Sequence, residues 1–332
     1  MNKVLTLRAS SIGDALMGKY FLENVHAAYR EAACYMLVGS RGEMIRDLLA
    51  GYPWIGVIEA SRRHPRSLAN AWRALRGSDI ALTQYSEKPF SAPSKIFARL
   101  ASKYLIGFED SWWGNRFLYN ALVPWSGEAN SNGMIVEEQR ALAEAGVPTN
   151  VSELSLSYIS DPSFLPRSHL SRNEYVVAHL FSGNEGRSIS QKKRMEIVRA
   201  LQKVMPHTIV LTGGESDVAR SEEATQRLSQ VLSRAGKTSM QELVNLIAYS
   251  RGVLSLDTGA AHIAAHLKRP LVVLTRKEAR EAWWGSPMYQ NRPVVLCNDL
   301  ADDDALRVTP HPPSLETIDT HIIADTVARC VA

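Results

Sequence analysis

The chain has 332 residues, 45% of them apolar and 22% charged, with a formal net charge of +4. This composition is that of a folded two-domain protein, and it contains no apolar run near the 18 residues of a membrane span. We therefore expect a cytoplasmic protein without a signal peptide. Cys34, Cys297 and Cys330 are too far apart for a metal-ligand spacing or a disulfide framework.

Short β-rich runs alternate with helical ones in the first half, a pattern typical of a parallel sheet covered by helices. In chain order, the pattern predicts a strand at 3–9, a helix at 13–31, a strand at 34–39, a helix at 42–52, a strand at 54–60, a helix at 67–76 and a strand at 79–85. The aromatic segment 89–133 is irregular and predicts loops and short helices. A helix near 134–145 closes this half.

The alternation restarts after a polar, proline-bearing stretch at 147–173. The predicted order is a strand at 174–183, a helix at 191–205, a strand at 207–214, helices at 216–230 and 240–252, a strand at 253–257, a helix from Gly259, a strand at 270–275 and a helix at 315–331. The fold class is thus α/β: two Rossmann-like, doubly wound parallel-sheet domains facing across a cleft. We place the N-terminal domain at 1–160 and the C-terminal domain at 161–332, with packing of the last helix on the N-terminal domain as an alternative.

Three strand-to-helix turns of the second half carry residues suited to a diphosphate. They are Ser182, Gly183 and Arg187 in "LFSGNEGR", Gly213 and Glu215 in "LTGGES", and Asp257 to His262 in "DTGAAH". Asp257 and Thr258 are predicted to cap the helix, leaving the N–H groups from Gly259 to His262 for an anion. A hydroxyl, a guanidinium and backbone amides together can hold a nucleotide diphosphate without a metal. Neither a dinucleotide fingerprint nor a Walker A sequence is present, which counts against NAD enzymes and phosphate-loop NTPases.

Three features of the first half allow two interpretations each. Asp14 lies at the start of a helix, where it either stabilises the first turn or, at a cleft, takes a proton from a hydroxyl. Residues 61–78 contain five arginines and no carboxylate, so they form either a solvated helix face or an attractor for an anionic partner. This run is short and lacks interleaved aromatic residues, which disfavours nucleic acid. Residues 93–108 are a buried amphipathic helix or a transient bilayer contact.

These segments together resemble the heptosyltransferase family, bacterial enzymes that pass heptose from ADP-heptose to the lipopolysaccharide core. The resemblance is carried by "RASSIGDAL", "SGNEGRSIS", "VLTGGESD" and, most specifically, the block 236–274 that contains "DTGAAH" and Pro270. It implies the GT-B fold and an inverting reaction with neither metal nor cofactor. It also implies ADP-heptose as the donor, an anionic glycan or glycolipid acceptor, and at most peripheral contact with the inner face of the cytoplasmic membrane.

The resemblance assigns roles to individual residues. Asp14 matches the general base, Arg187 a basic residue on the donor phosphate, and Ser182 a phosphate-binding hydroxyl. The remaining donor-binding residues by this match are Gly183, Gly213, Glu215, Thr238, Asp257, Thr258, Gly259, Ala260, Ala261 and His262. Ser216 or Asp217 is an alternative to Glu215 at the ribose, and Thr238 is expected near the base. The candidate acceptor residues come from the arginine-rich run and not from this match: they are Arg62, Arg63 and Arg66.

The chain departs from the family at three positions. Arg187 is followed by "SIS" instead of Trp-Pro, Ala260 stands where proline is common, and "RKEAREAWWGSPM" (276–288) replaces the usual Gly-Pro-Thr segment. Trp283 and Trp284 in this last segment either wall the donor sugar or pack on the domain. Two other functions stay open: a nucleotide-sugar 2-epimerase of the same architecture, and a non-catalytic nucleotide-binding subunit.

Overall fold

The chain divides into two compact units, which we describe one at a time. The computed structural model describes residues 1–8, 11–61, 65–84, 91–109, 112–124, 135–183, 187–276, 284, 286–297 and 315–332. The first unit is Met1–Ser157 and the second is Tyr158–Ala332.

A six-stranded, wholly parallel sheet forms the first unit, with the order β3-β2-β1-β4-β5-β6. Its strands are β1 (Lys3–Arg8), β2 (Ala33–Val38), β3 (Ile55–Glu59), β4 (Ser78–Thr83), β5 (Ser102–Phe108) and β6 (Ala121–Val123). Its helices are α1 (Ile12–Ala28), α2 (Gly42–Leu48), α3 (Pro65–Leu75), α4 (Ala92–Ala101), α5 (Asn115–Leu118) and α6 (Ile135–Glu144).

The segment predicted as loops and short helices is more regular than expected. It contains helix α4 and strands β5 and β6, which complete one side of the sheet. The residues at 93–108 are therefore not one amphipathic helix. α4 ends at Ala101 and β5 begins at the next residue, so that no glycine or proline separates helix from strand. β5 pairs with strands on both sides, and its fully buried residues Leu105 and Ile106 lie in a part of the sheet on which helices α4 and α6 pack.

A buried ion pair connects the end of β1 to helix α6. Both guanidinium Nη atoms of Arg8 donate to the Glu138 carboxylate at 2.7 Å, and its Nε donates to Thr6 Oγ1 at 2.8 Å. Arg8 and Glu138 are each 3% exposed. Helix α1 passes close to this pair, since a Cβ at Gly18 would lie 2.6 Å from Arg8 Nε. The Arg8 guanidinium and the Glu138 carboxylate neutralise each other through two parallel hydrogen bonds, whereas either charge buried alone would be costly.

The second unit repeats the architecture of the first. Its strands are β7 (Tyr175–His179), β8 (Thr208–Leu211), β9 (Val231–Ser233), β10 (Gly252–Leu256), β11 (Leu271–Thr275) and β12 (Val294–Cys297), all parallel in the order β12-β11-β10-β7-β8-β9. Its helices are α7 (Phe164–Arg167), α8 (Gln191–Val204), α9 (Val218–Arg227), α10 (Met240–Tyr249), α11 (Gly259–His266) and α12 (Thr320–Val331). Ser190 caps α8 as predicted, accepting from Lys193 N at 3.0 Å.

The last helix belongs to the core of the second unit. Ile323, Val327 and Val331 of α12 join the apolar cluster formed by β7, β8, β10, β11 and helix α8. The ammonium of Lys193 on α8 donates to the Ile318 carbonyl, 2.6 Å away, just before α12 begins. This packing is within α12's own unit. None of the described helices is both long and apolar enough to cross a membrane.

Candidate functional site

The residues assigned to the donor lie along one edge of the second sheet. Four neighbouring strands, β10, β7, β8 and β9, are parallel, so that the turns after them leave the sheet at the same edge. Three strand spacings of about 4.8 Å make this row about 14 Å long. β8 and β9 extend the sheet on one side of β7, and β10, β11 and β12 extend it on the other side, so the strand order reverses between β7 and β10. Open α/β sheets bind ligands at such a reversal.

Asp257 directly follows β10, at one end of this row of turns, and is 3% exposed. Its N–H donates to the Leu274 carbonyl at 3.1 Å, which fixes the turn to β11. Its carboxylate lies 3.5 Å from Arg187 Nη1 and 3.9 Å from His262 Nε2. Arg187 Nη1 also donates to the Asp257 carbonyl at 3.4 Å. The structure thus brings Arg187, Asp257 and His262 together, and the Arg187 side chain remains 42% exposed.

The start of α11 differs from the prediction in how it is capped. Thr258 occupies the N-cap position in an extended conformation, but its hydroxyl lies 3.3 Å from Ser255 Oγ and not on a helix N–H. Asp257 does not cap the helix either, because its carboxylate faces Arg187 and His262.

The set of amides available to an anion at α11 is also smaller than predicted. The N–H groups of Ala261 and His262 donate to the Thr258 carbonyl at 3.1 and 3.3 Å. Gly259 and Ala260 carry the first two helical N–H groups, for which a helix provides no carbonyl of its own. These two amides are the ones suited to an anion.

Four aromatic rings support the α11 side of the site. The His262 imidazole stacks on Trp284 at 4.7 Å, and Trp284 stacks on Tyr289 at 5.7 Å. Tyr289 in turn meets the edge of His266 at 5.7 Å. Burial, with the nearby Asp257 charge, raises the pKa of Tyr289, so its ring stays neutral at physiological pH. Trp284 is 5% exposed and fixes the plane of His262; Trp283 lies outside the described residues.

The turn after β8 is held by Asp217. Its carboxylate accepts from Gly214 N at 2.9 Å and from Arg220 Nη2 at 2.5 Å. A Cβ at Gly213 would lie 2.9 Å from Asp217 Cβ and 3.0 Å from Phe181, so the close packing of this turn requires glycine. Asp217 therefore has a structural task here, while Glu215 is exposed.

The turn after β9 joins the turn after β8. Gly236 N donates to the Gly213 carbonyl at 3.0 Å, and a Cβ at Gly236 would lie 3.2 Å from Glu215 Cα. Gly236 has a φ of +65°, which favours glycine. Thr238 follows two residues later, immediately before the Ser239–Glu242 capping box of α10. The structure thus places Thr238 in the loop that contacts the Glu215 turn.

The turn after β7 contributes Ser182 and Gly183, and the strand before it ends in the half-buried His179. Ser182 is half-buried and Gly183 is exposed. A Cβ at Gly183 would meet no atom of the described residues within 4 Å, so packing does not require glycine there. His179 ends β7, and its Nδ1 lies 2.9 Å from Thr212 Oγ1 at the end of β8. His179 is thus a hydrogen-bonded core histidine at the floor of the turn.

Asp14 lies in the first unit, just after β1, where the strand order of that sheet reverses. Its carboxylate accepts hydrogen bonds from Ser11 Oγ and, at 2.5 Å, from Gln84 Nε2. Its N–H donates to Ser11 Oγ at 3.2 Å, which makes Ser11 the N-cap of α1. Asp14 follows β1 and Gln84 follows β4, the two strands between which the order of this sheet reverses. Asp14 is half-buried and held from two sides.

Sequence reasoning missed the partners that orient these groups. Ser11 is visible as a cap three residues before Asp14. Gln84, at the end of the predicted strand 79–85, becomes a candidate once β4 is known to lie beside β1. Of the candidate acceptor arginines, Arg66 is exposed on α3, whereas Arg62 and Arg63 lie outside the described residues. Within the described ranges, no three His, Cys, Asp or Glu residues are grouped to hold a metal ion.

The comparison with family models decides the class of this site. Residues 73–308 match the model of glycosyltransferase family 9 (heptosyltransferase). The chain belongs to glycosyltransferase family 9. The edge around Asp257 and Arg187 is thus the candidate functional site of a glycosyltransferase of the heptosyltransferase type.

Relatives of this glycosyltransferase agree with its architecture. Lipooligosaccharide heptosyltransferase 2 of Haemophilus influenzae is 38% identical over 73 residues, a match that spans 20% of this chain and 21% of that protein. A family 9 glycosyl transferase from Veillonella parvula superposes with a TM-score of 0.80 at 13% identity, covering 99% of this chain and 97% of that one. The E. coli ADP-heptose lipopolysaccharide heptosyltransferase II gives 0.76 at 20% identity, covering 99% and 98%. The two parallel six-stranded sheets are those of the GT-B fold, as predicted.

The half-buried His179 of the glycosyltransferase predicts a pH dependence of stability. Burial lowers the pKa of His179 from 6.5 to about 4, and the Asp217 charge offsets this only in part. The unfolded chain therefore binds a proton below pH 6.5 that the folded chain takes up only near pH 4. Between those values, the wild type should lose up to about 3 kcal/mol of unfolding free energy relative to His179→Gln.

Urea unfolding of both proteins at pH 7, 5.5 and 4 measures this difference. His321→Gln, on the exposed start of α12, serves as the matched control and should follow the wild type. A wild-type curve parallel to that of His179→Gln would contradict the assignment.

Proposed function

We propose that this chain is an inverting, metal-independent transferase that moves heptose from ADP-heptose to a hydroxyl of a lipopolysaccharide-core-like acceptor. Membership of the heptosyltransferase family sets the class of the reaction. The name of the E. coli protein that shares the fold supports ADP-heptose as the donor. The arginine-rich segment 61–78 supports an anionic acceptor. If that acceptor is linked to a lipid, binding it would bring the enzyme to the inner face of the cytoplasmic membrane.

The observation that carries the proposal is the Arg187–Asp257 contact at the start of α11. It holds a half-exposed guanidinium against Asp257, two and three residues before the N–H groups of Gly259 and Ala260, at the strand-reversal point of the sheet. A diphosphate bound there receives charge-assisted hydrogen bonds from both sources. The turns that contain Glu215 and Thr238 extend the same edge in one direction, toward the nucleoside.

In the proposed reaction, the acceptor oxygen attacks the anomeric carbon as the bond from that carbon to the diphosphate oxygen breaks. The acceptor proton passes to the carboxylate of Asp14, which Ser11 and Gln84 orient. The nucleoside diphosphate leaves with the bonding electrons, and its negative charge is met by Arg187 and the two amides. Charges fixed in advance at that point lower the barrier without a metal ion. A single displacement inverts the anomeric configuration.

A product assay tests the reaction as a whole. The protein is incubated with ADP-heptose and core glycolipid in the presence of EDTA, and the products are identified by mass spectrometry and by NMR of the new linkage. We expect ADP release that depends on the acceptor, and a linkage opposite in configuration to the donor. Free sugar released without an acceptor would favour an epimerase-type reaction, and nucleotide binding with no product would favour a non-catalytic subunit.

Replacement of Asp14 tests the proton transfer. Asp14→Asn retains the size of the side chain but cannot accept the proton, so turnover should fall roughly 100- to 10,000-fold. Affinity for ADP should stay unchanged, because the donor residues belong to the other unit. Steady-state kinetics and calorimetry provide the two readouts.

Glu43→Gln is the matched control for Asp14, because Glu43 is also an acid in the first turn of a helix of the same unit. Its turnover should equal that of the wild type. Turnover of Asp14→Asn within a few-fold of wild type would remove Asp14 from the proton transfer.

Replacement of Arg187 tests the donor site separately. Arg187→Gln removes a charged hydrogen-bond donor worth about 1.5–3 kcal/mol to an anion, so the dissociation constant of ADP should rise about 10- to 150-fold. Titration calorimetry with ADP measures this without any transfer. Arg227→Gln, an exposed arginine on α9 paired with Glu223, is the control and should bind ADP like the wild type. Equal ADP affinity in both variants would exclude Arg187 from the phosphate site.

A further inference from the structure

The first unit contains a cavity of about 440 Å³ that neither the donor edge nor Asp14 uses. It lies beyond the carboxyl ends of β1, β2 and β3 and is closed by helices α3 and α4. Its volume falls in the range of small-molecule sites. The lining residues are Leu7, Arg8, Leu37, Val38, Gly39, Ala60, Leu68, Trp72, Pro93, Ser94 and Phe97.

The walls of this cavity are mainly apolar and aromatic. Leu68 and Trp72 lie one turn apart on α3, and Pro93 and Phe97 lie one turn apart on α4. The Trp72 and Phe97 rings meet edge to face at 5.9 Å and join the two helices. The charged lining residue, Arg8, already has its guanidinium bound by Glu138 and Thr6. The cavity therefore suits an apolar group and not a sugar hydroxyl.

An exposed apolar stripe on α4 continues from the cavity. Ile96 and Leu100 are 45% and 67% exposed, and helical spacing puts them beside Pro93 and Phe97 on the same side of the helix. Trp72 is itself 37% exposed. Contiguous apolar surface of this kind marks a binding surface on a soluble protein.

The charge next to the cavity favours an anionic occupant. Residues 61–78, which include α3, contain five arginines and no carboxylate. Arg66 stands exposed in the first turn of α3, on a different side of the helix from the lining residues Leu68 and Trp72. The charge carried by this segment attracts the anionic group of an amphiphile to this part of the unit at long range, without a contact between that group and the cavity wall.

We propose that this cavity binds one alkyl chain of an anionic amphiphile. If the proposed function holds, that amphiphile is the lipid-linked acceptor, and the cavity anchors its lipid part on the unit that contains Asp14. The binding itself does not require the transfer reaction.

A chain-length series tests the cavity by direct binding. Sodium alkyl sulfates from hexyl to dodecyl, each below its micelle concentration, are titrated into the full-length protein by calorimetry. Affinity should rise about fourfold with each added methylene, the fold-change equivalent of burying one methylene group, until the cavity is full. Ala60→Phe places a ring in the cavity and should remove this dependence on chain length.

The controls separate the cavity from the rest of the surface. Ala69→Phe makes the same change at an exposed position of α3 and should preserve the chain-length dependence. Arg66→Gln should weaken every alkyl sulfate by a similar factor, because it removes charge and no apolar contact. Ser94→Phe is a second cavity-filling variant, used if circular dichroism shows that Ala60→Phe is not folded.

Two results would overturn the proposal: a wild-type affinity that is independent of chain length, or an unchanged dependence in a folded cavity-filling variant. ADP titration of the same variants checks the donor site, so failure of the cavity and failure of the transferase are distinguishable.

A final comparison uses transfer to core glycolipid before and after removal of its acyl chains. Ala60→Phe should raise KM for the intact glycolipid only; an equal KM change for both substrates would contradict the acceptor assignment.

Discussion

Parallel strand pairing is the constraint on which both units depend. β1 is hydrogen-bonded to β4, and β10 is hydrogen-bonded to β7, and the two strands of each pair run parallel. Leu7 lies opposite Thr83 in the first pair, and Ser255 lies opposite His179 in the second. All turns that follow the strands therefore leave at one edge of each sheet. At the point where the strand order reverses, successive crossovers cover opposite faces and leave a crevice between them. Asp14 and Asp257 follow strands of these reversal pairs, each in its own unit.

Charge compensation at the second edge explains why Arg187 is held where a diphosphate can use it. A carboxylate as buried as Asp257 is costly without a partner, and Arg187 is the cation that approaches it. The guanidinium remains partly exposed and has five N–H donors in a fixed plane, so one contact to Asp257 does not exhaust it. The same contact orients Arg187 before any ligand arrives, which reduces the entropy that ordering this side chain would cost on binding.

Aromatic packing distinguishes this chain from the usual family pattern around α11. The segment that departs from the family supplies Trp284, which stacks on His262 and, through Tyr289, reaches His266. Because Trp284 contacts His262 and Tyr289 contacts His266, the two histidines, one turn apart on α11, are restricted in their side-chain rotamers. The altered segment thus packs directly on the helix that begins the candidate site.

Much of the fold was predictable because the central strands are buried on both faces. Strands β1, β7, β10 and β11 appear as continuous apolar runs, and they were predicted within a few residues of their observed bounds. β6, β9 and β12 were missed because they are edge strands of three or four residues, too short for a periodic signal. β5 was missed for another reason: it follows α4 without an intervening turn residue.

The α/β class, the family and the residue types at each strand end can be read from the amino-acid order alone, because local periodicity and short motifs contain that information. Which of those residues meet depends on the folded arrangement of the strands. Gln84 reaches Asp14 across 70 residues, Arg187 reaches Asp257 across 70, and Arg8 reaches Glu138 across 130. The folded arrangement also decides that Asp257 pairs with Arg187 and does not cap α11. These contacts follow from strand order, which no local pattern encodes, since it is set by how whole strands and helices pack into one sheet.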